Sequence, residues 1–350
     1  MGLKELLTKE IDFNKNKKTT YLSFDFSNFD IKIVRGYCFN NKLNILSTYL
    51  ITFDDEIYDD GKILEYDAVL NAISKEIKDN SIKVKDCIFT INTTDALIKT
   101  FDVPKLYNEE DQMNAIEYEV LENFPGDLSD YILEYRITQD NQSTCSVLAC
   151  AVPRILIDEK KRLFKDLGLR LKYLDISTNT ISKLIRFSID TTSQLEEYSR
   201  EEKEANTIAV IDISSAVLNI GIFTAGHIEF QRNIGNSLFK KNKNLLYISS
   251  QEEVNSLANI NNDSELKDDF SLFLDEIEKS FKYYTSKGLG NAIDEIYLYG
   301  YDFAIQDFVS MLSERFSTPV FKIDRLNGII DENIDVSMYV VAIGSLIRIS

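Results

Sequence analysis

One short pattern occurs twice in this chain, near its beginning and again past its middle. At Tyr21–Asn28 (YLSFDFSN) and at Ile208–Ser215 (IAVIDISS), an apolar run ends in an aspartate that small polar residues follow. In both places a second apolar run, a polar turn and a third apolar run come next. One copy alone would be an ordinary strand-to-turn transition. Two copies, centred on Asp25 and Asp212, predict two related halves that each begin strand, turn, strand, turn, strand.

The rest of the chain predicts alternating helices and strands. A helix at Tyr66–Asn80 places Leu70, Ile73 and Ile77 on one face. Further predicted strands are Cys87–Asn92, Leu97–Val103, Tyr131–Thr138, Thr144–Val152, Glu295–Tyr299 and Val320–Ile323. Further predicted helices are Asn108–Asn123, Arg154–Leu167 (closed by Gly168), Phe270–Ser286, Phe303–Phe316 and Tyr339–Arg348.

The order of these elements predicts the domain organisation. Residues 97–169 form a strand-helix-strand-strand-helix unit that resembles a small α+β domain inserted into a larger one. Residues 1–19 are expected to be an N-terminal segment, 20–206 a first domain that contains the insertion, and 207–350 a second domain. Gln194–Asn206, rich in Glu and Lys, is predicted to be a solvated linker or surface helix.

Composition excludes several classes of protein. The 39 Lys and Arg residues against 57 Asp and Glu give a net charge of −18, which argues against a nucleic-acid-binding surface. Four cysteines without CxxC spacing and a single histidine, His227 in a predicted turn, indicate neither a zinc site nor a catalytic base, and they suit a reducing compartment. No apolar run approaches the ~20 residues of a membrane span. The segment Met1–Lys18 lacks the apolar stretch of a signal peptide, and a membrane-surface helix there remains open.

The repeated aspartate suggests a nucleotide site. Two facing hairpins that each carry a carboxylate form a cleft where a nucleoside triphosphate and Mg²⁺ could sit, because Mg²⁺ needs only one or two carboxylates besides phosphate oxygens and water. Backbone amides that cradle phosphates usually require glycine at the closest approach. Ser27 and Ser214 occupy that position here, which predicts weakened binding. Gly300, at the end of a predicted strand, suits a backbone contact with an adenosine, although Tyr301 follows it.

Several motifs in the same order resemble the actin-like ATPase superfamily. They are Asp25-x-Ser27-x-x-x-x-Lys32, Asp212-x-Ser214, Glu276-x-x-Lys279, the strand that ends in Gly300, and Val341-Ala-Ile-Gly344. Within the superfamily the chain is most similar to the PilM family of type IV pilus assembly proteins, itself similar to the cell-division protein FtsA. Segments of the insertion carry this likeness: Phe101–Leu106, Ala115–Glu117, Asn123–Pro125, Val147–Ala151 and Asp166–Leu169.

The resemblance implies an α/β fold of the actin-like ATPase type, with two duplicated ribonuclease-H-like domains and an inserted small α+β subdomain. It implies ATP and Mg²⁺ as cofactors, with Asp25 and Asp212 holding the metal through water. The implied phosphate hairpins contain Asp25, Ser27, Asn28 and Lys32 in the first half and Asp212, Ser214 and Ser215 in the second. Around the adenosine fall Glu276, Lys279, Gly300 and Tyr301. Because family glycines are replaced, catalytic turnover is not expected to be the purpose of the protein. Glu276 and Lys279 could equally be a surface i,i+3 ion pair.

The PilM-like pattern also implies a partner. It predicts a cytoplasmic scaffold at the inner face of the cell membrane that binds the N-terminal tail of a PilN-like membrane protein. Leu97–Lys105 and Tyr131–Ile137 are candidate edge strands for that tail, and an acidic surface is compatible with a basic one. Other pilus assembly proteins and self-association are further expectations. The alternatives are an actin-fold sugar or acetate kinase, and an FtsA-like filament former that tethers polymers to the membrane through a C-terminal amphipathic helix.

Overall fold

The computed structural model describes residues 18–40, 42–124, 128–140, 142–192, 206–214, 217–235, 264–288, 292–300, 309–310, 312–324 and 334–348. Predictions for Ser215, Tyr301, nearly all of Gln194–Asn206, most of Met1–Lys18 and the first part of Phe303–Phe316 lie outside these residues.

Each half of the chain forms a five-stranded mixed sheet. The first sheet has the order β10-β6-β1-β2-β3 and the second the order β13-β12-β11-β14-β15. In each sheet a three-stranded antiparallel meander supplies one side, and two strands parallel to the first strand of the meander supply the other. The strands of the first sheet are β1 (Tyr21–Phe26), β2 (Asp30–Phe39), β3 (Lys42–Thr52), β6 (Asp86–Ile91) and β10 (Arg170–Ile176). Those of the second are β11 (Thr207–Asp212), β12 (Val217–Thr224), β13 (His227–Gly235), β14 (Glu295–Tyr299) and β15 (Val320–Lys322).

The strand register confirms the repeat. Asp25 in β1 lies opposite Lys32 in β2, and Asp212 in β11 lies opposite Asn219 in β12. The two aspartates therefore occupy equivalent places, at the carboxyl end of the first strand of each meander.

Helices cover the sheets and join them. They are α1 (Tyr66–Asp79), α3 (Arg154–Asp166), α4 (Ser177–Thr192), α5 (Ser264–Ser286) and α6 (Val336–Ser345). A short hairpin of β4 (Tyr58–Asp59) and β5 (Lys62–Ile63) precedes α1. One hydrophobic cluster, formed by α4 and α6, contains residues of both sheets, such as Val34 and Ile88 from the first and Val210 and Phe223 from the second. No helix among the described residues is long and apolar enough to cross a bilayer.

The insertion has a core of its own. Its sheet has the order β7-β9-β8, formed by β7 (Leu97–Pro104), β8 (Tyr131–Asp140) and β9 (Thr144–Pro153), and α2 (Glu109–Asn123) lies on one face. Val147, Ala149 and Ala151 of β9 pack with α2, whereas Leu148 and Val152 pack into the cores of the parent domain. Helix α3, which was predicted as part of the insertion, packs on the first sheet of the parent domain through Leu163 and Phe164.

Strand β10, helix α4 and the short β4–β5 hairpin were not predicted, and a few boundaries moved. Strand β10 and helix α4 were missed because Ser177-Thr-Asn-Thr180 has the composition of a polar turn. Helix α5 begins six residues before the predicted start, at Ser264, and α6 spans Val336–Ser345 instead of Tyr339–Arg348. The side chain of Asp335 explains the latter start, because it caps α6 by accepting a hydrogen bond from the Met338 amide.

The contact between α4 and α6 requires a glycine. A Cβ atom on Gly344 would lie 2.8 Å from the carbonyl oxygen of Thr180, closer than real side chains approach. Next to it, the hydroxyls of Ser345 and Ser23 share a hydrogen bond of 2.5 Å that ties α6 to β1. Close backbone packing at Gly344 therefore sets the spacing of the helices that join the two halves.

We expect Gly344→Ala to lower the free energy of unfolding by about 1–3 kcal/mol, because the new methyl group meets backbone that must shift. Gly235→Ala is the matched control, since a Cβ there meets nothing within 4 Å, and it should change stability by less than about 0.5 kcal/mol. Urea unfolding followed by circular dichroism measures both. Equal effects of the two substitutions would contradict the packing argument.

Candidate functional site in the cleft between the two halves

The two repeated aspartates lie at the ends of their strands and are almost fully buried. The exposed fraction is 7% for Asp25 and 3% for Asp212. The Asp212 carboxyl contributes to the electrostatic environment of Asp25, and the Lys32 ammonium acts on both. The structure thus brings together the central pair that the sequence predicted, with Lys32 beside it.

Several polar groups of the first hairpin are already paired with neighbouring protein groups. Lys32 Nζ lies 2.8 Å from Asp30 Oδ1 and donates a hydrogen bond of 2.7 Å to Ser27 Oγ. The Ser27 amide donates to the Asp30 carbonyl at 2.9 Å. Asn28 Nδ2 donates to Glu56 Oε1 at 2.7 Å. An amide that already has a partner inside the turn is less available to a phosphate oxygen.

Polar groups of the second hairpin are paired through its aspartate. Asp212 Oδ1 accepts hydrogen bonds from the Ser214 amide at 2.8 Å and from the Ser214 hydroxyl at 2.6 Å. Such an Asx turn fixes the backbone after β11. Ser214 is therefore held by the carboxylate, with both its amide and its hydroxyl engaged.

Gly300 supports this second hairpin from behind. Its φ is +133°, and a Cβ atom there would lie 3.0 Å from both Ile213 C and Ser214 N. The Gly300 amide lies 3.2 Å from both the carbonyl oxygen and the hydroxyl oxygen of Ser337. The Ser337 hydroxyl donates a hydrogen bond of 3.1 Å to the Gly300 carbonyl. Close packing of backbone on backbone thus explains the glycine without a ligand, and its contact with adenosine stays a prediction.

Burial dominates the electrostatics of the cleft. Desolvation raises the pKa of Asp25 to about 7, with Lys32 opposing and the Asp212 and Asp30 carboxylates adding to the shift. Desolvation also raises the pKa of Asp212, against the hydrogen bonds from Ser214. Tyr58 and Tyr299 are buried beside these carboxyls, and both phenols have a pKa well above the ordinary value, through burial first and the nearby negative charge second.

The donor set suits a hydrated divalent cation better than a tightly held triphosphate. Two buried carboxyls with a raised pKa gain stability when a cation replaces the proton, and Mg²⁺ accepts few protein ligands together with water. The described residues contain no group of three or more His, Cys, Asp or Glu side chains that could hold a metal alone. The amides of Ser27 and Ser214, by contrast, already have partners and are less available to phosphate oxygens.

The predicted adenosine residues on α5 make surface contacts. Glu276 Oε1 pairs with Lys279 Nζ at 2.6 Å, and its other oxygen pairs with Arg232 Nη2 at 3.0 Å. The alternative of an i,i+3 ion pair therefore describes their contacts in the structure. A role next to adenosine stays a prediction for these two residues.

Sequence reasoning missed four residues of the cleft: Asp30, Tyr58, Asn219 and Tyr299. Of these four, only Asn219 could have been found from the repeat in the sequence. It lies seven residues after Asp212, just as Lys32 lies seven residues after Asp25. Its amide nitrogen donates to Asn233 Oδ1 at 2.8 Å, and Asn233 Nδ2 donates to the Thr93 carbonyl at 2.6 Å. This chain of hydrogen bonds joins the second sheet to the first half of the molecule.

Comparison with known proteins finds solved structures that are similar to this chain. Among solved structures, the chain is similar to a "PilM-PilN type IV pilus biogenesis complex", with 11% identity, a TM-score of 0.74, and coverage of 94% of this chain and 98% of that one. It also matches the ethanolamine utilization protein EutJ from Carboxydothermus hydrogenoformans (11% identity, TM-score 0.48, 99% and 94% covered). A further match is MreB5 of Spiroplasma citri bound to AMPPNP (12% identity, TM-score 0.43, 94% and 95% covered).

The first of these likenesses confirms the predicted α/β fold of the actin-like ATPase type. Residues 23–344 match the family model described as "Type IV pilus assembly protein PilM". That match includes both hairpins, the insertion and α6 up to Gly344. The chain therefore belongs to the PilM family of type IV pilus assembly proteins.

Proposed function

We propose that this protein is a scaffold of type IV pilus assembly that binds the N-terminal cytoplasmic tail of a PilN-like inner-membrane protein. Membership of the PilM family, together with the likeness to the PilM-PilN complex, is the observation that carries the proposal. The scaffold would work at the cytoplasmic face of the membrane, where its partner's tail emerges. Contacts with other pilus assembly proteins, and self-association, stay predictions.

The insertion offers a place for an extended tail. Its two outer strands, β7 and β8, are the edges that the sequence predicted. Among the described residues, both edge strands pair only with β9. Strand β7 in addition approaches β13 of the second half. A peptide can add to such an edge through backbone hydrogen bonds, with side chains entering pockets on alternate faces. We therefore place the tail along β8, next to the parent domain.

The cleft between the halves would be a degenerate ATP site. Asp25 and Asp212 would hold Mg²⁺ through water, and Lys32 would neutralise phosphate charge, while Ser27 and Ser214 limit the approach of the phosphates. A bound Mg²⁺ would supply charge neutralisation for the nucleotide. The residues themselves orient the two hairpins, and we assign them no catalytic role beyond a weak ATPase at most.

We expect a synthetic peptide of the PilN-like tail to bind the protein, measured by fluorescence anisotropy against a scrambled peptide. Ile137→Asp should weaken binding by about tenfold or more, because it places a charge at an exposed apolar position of β8. Leu272→Asp on α5 is the matched control, since Leu272 is also an exposed apolar residue. Absence of binding would overturn the proposed function, and equal affinities of the two variants would move the site away from β8.

Restoring the missing glycines should strengthen nucleotide binding. We expect Ser27→Gly/Ser214→Gly to bind Mg·ATP at least several-fold more tightly than the natural protein in isothermal titration calorimetry, because the substitutions clear the closest approach to the phosphates. Ser143→Gly, in the exposed turn between β8 and β9, controls for a general effect of glycine. Weaker binding by the double variant would show that the serines contribute contacts.

The buried carboxyl of Asp25 should make stability depend on pH. Its pKa of about 7 lies above the ordinary 3.8, so between about pH 4 and pH 7 the folded protein keeps a proton that the unfolded chain releases. The contribution of Asp25 to stability is therefore lost as pH rises through this window.

We expect Asp25→Asn to become progressively more stable than the natural protein as pH rises from about 4 to about 7, by at most about 1.4 kcal/mol per pH unit, and the difference to level off above pH 7. Urea unfolding in metal-free buffer at several pH values measures the difference. Gly235→Ala, which changes no ionisable group, should show a difference that does not change with pH. The same flat difference for Asp25→Asn would refute the raised pKa.

A further inference from the structure

Basic side chains gather between the insertion and its parent domain. In β9, Leu148, Cys150 and Val152 face the parent domain. The residues directly opposite them in β8 are Arg136, Glu134 and Ile132. Because directly opposed residues of an antiparallel pair lie on the same face of the sheet, Arg136 and Glu134 also face the parent domain.

The parent domain presents further charges to this face. Lys183 Nζ of α4 lies 2.6 Å from Asp175 Oδ2 at the end of β10, and Arg348 Nη1, after α6, lies 3.5 Å from the same oxygen. The Arg348 guanidinium also stacks on the Tyr173 ring, 3.7 Å from its centroid. Lys183 and Asp175 are buried, while the Arg348 side chain keeps 22% of its surface exposed. Arg348 therefore lies at the mouth of the group, and Lys183 lies behind it.

Positive charge exceeds negative charge here, although the chain as a whole carries −18. Four basic side chains (Arg136, Lys183, Arg186 and Arg348) accompany two acidic ones (Asp175 and Glu134). Burial lowers the pKa of Arg136 to about 10, with Arg186 adding to the shift and Asp175 opposing it. Burial lowers the pKa of Lys183 to about 8, with Arg348 and Arg136 adding and Asp175 opposing. These cations thus lie close enough to destabilise one another.

Two donors of this group have no acceptor among the described residues. The Nε–H groups of Arg136 and Arg348 are buried, and neither makes a hydrogen bond there. A buried, charged donor without an acceptor costs free energy that an incoming anion would return. Arg136 lies on β8, the strand along which the proposed function places the tail.

We propose that Arg136, Arg348 and Lys183 form a pocket for an acidic side chain, Asp or Glu, of the PilN-like tail. The inference rests on the proposed function and adds the chemistry of one tail position. A tail strand paired with β8 would turn the side chain opposite Arg136 towards the parent domain. A carboxylate there would offer Arg136 an acceptor, on the side of the parent-domain cations Lys183 and Arg348. The net charge of −18 alone favours a basic tail. The pocket instead selects an acidic residue at one position of the tail.

The experiment pairs substitutions on both partners. The labelled tail peptide is titrated by anisotropy, and each of its acidic residues is changed in turn to the amide. We expect one of these changes, and likewise Arg136→Gln and Arg348→Gln, to weaken binding about 10- to 100-fold. Combining the peptide change with Arg136→Gln should weaken it little further, because both remove the same contact. Arg162→Gln, at an exposed position of α3, should leave the affinity unchanged.

A purely structural role for Arg136 gives a different result. The tail-binding role predicts that the melting temperature of Arg136→Gln without peptide stays the same or rises, because a repelled cation is removed; a fall would indicate a structural role and overturn the inference. Binding by the natural protein that survives Arg136→Gln, or a binding tail without Asp or Glu, overturns the pocket alone. No binding by the natural protein overturns the proposed function and the pocket with it.

Discussion

The packing of α4 against α6 is the contact on which the rest of the molecule depends. These two helices lie in one hydrophobic cluster with residues of both sheets, so they fix the position of one half against the other. Their approach requires Gly344, whose missing side chain lets the Thr180 carbonyl come close. A helix pair held at this distance brings the ends of β1 and β11 together, and the two aspartates of the repeat follow from it. The geometry of the cleft is therefore set by core packing and does not depend on a bound ligand.

Inside the cleft, polar groups pair with each other at the expense of a ligand. Lys32 contacts Asp30 and Ser27, and Asp212 holds Ser214, so both hairpins are fixed without an external anion. Ser27 and Ser214 supply some of these contacts, which gives both serines a structural role. The same side chains therefore account for a preorganised fold and for the weak nucleotide site that we propose.

The sequence predicted what depends on local pattern. The strand meanders, the equivalent positions of Asp25 and Asp212, and the edges of the insertion all follow from short apolar runs and the turns between them. Helix α4 was missed because its first turn is built from Ser and Thr, and its stability comes from contacts with α6 and both sheets. Tyr58 and Tyr299 were missed because only long-range packing places them beside the carboxyls. No local signal marks such residues.

The pocket of Arg136, Lys183 and Arg348 also depends on long-range packing, and the sequence contains even less indication of it. Its three cations come from a strand of the insertion, a helix of the parent domain and the residues after α6, far apart in the sequence. The net charge of −18 gives no hint of them, because it averages over the surface and says nothing about a buried site. An acidic scaffold that concentrates positive charge at one internal junction would favour a partner by the position of a single carboxylate. General attraction between oppositely charged surfaces would contribute to the rate of encounter, whereas the pocket would set where along β8 the tail is held.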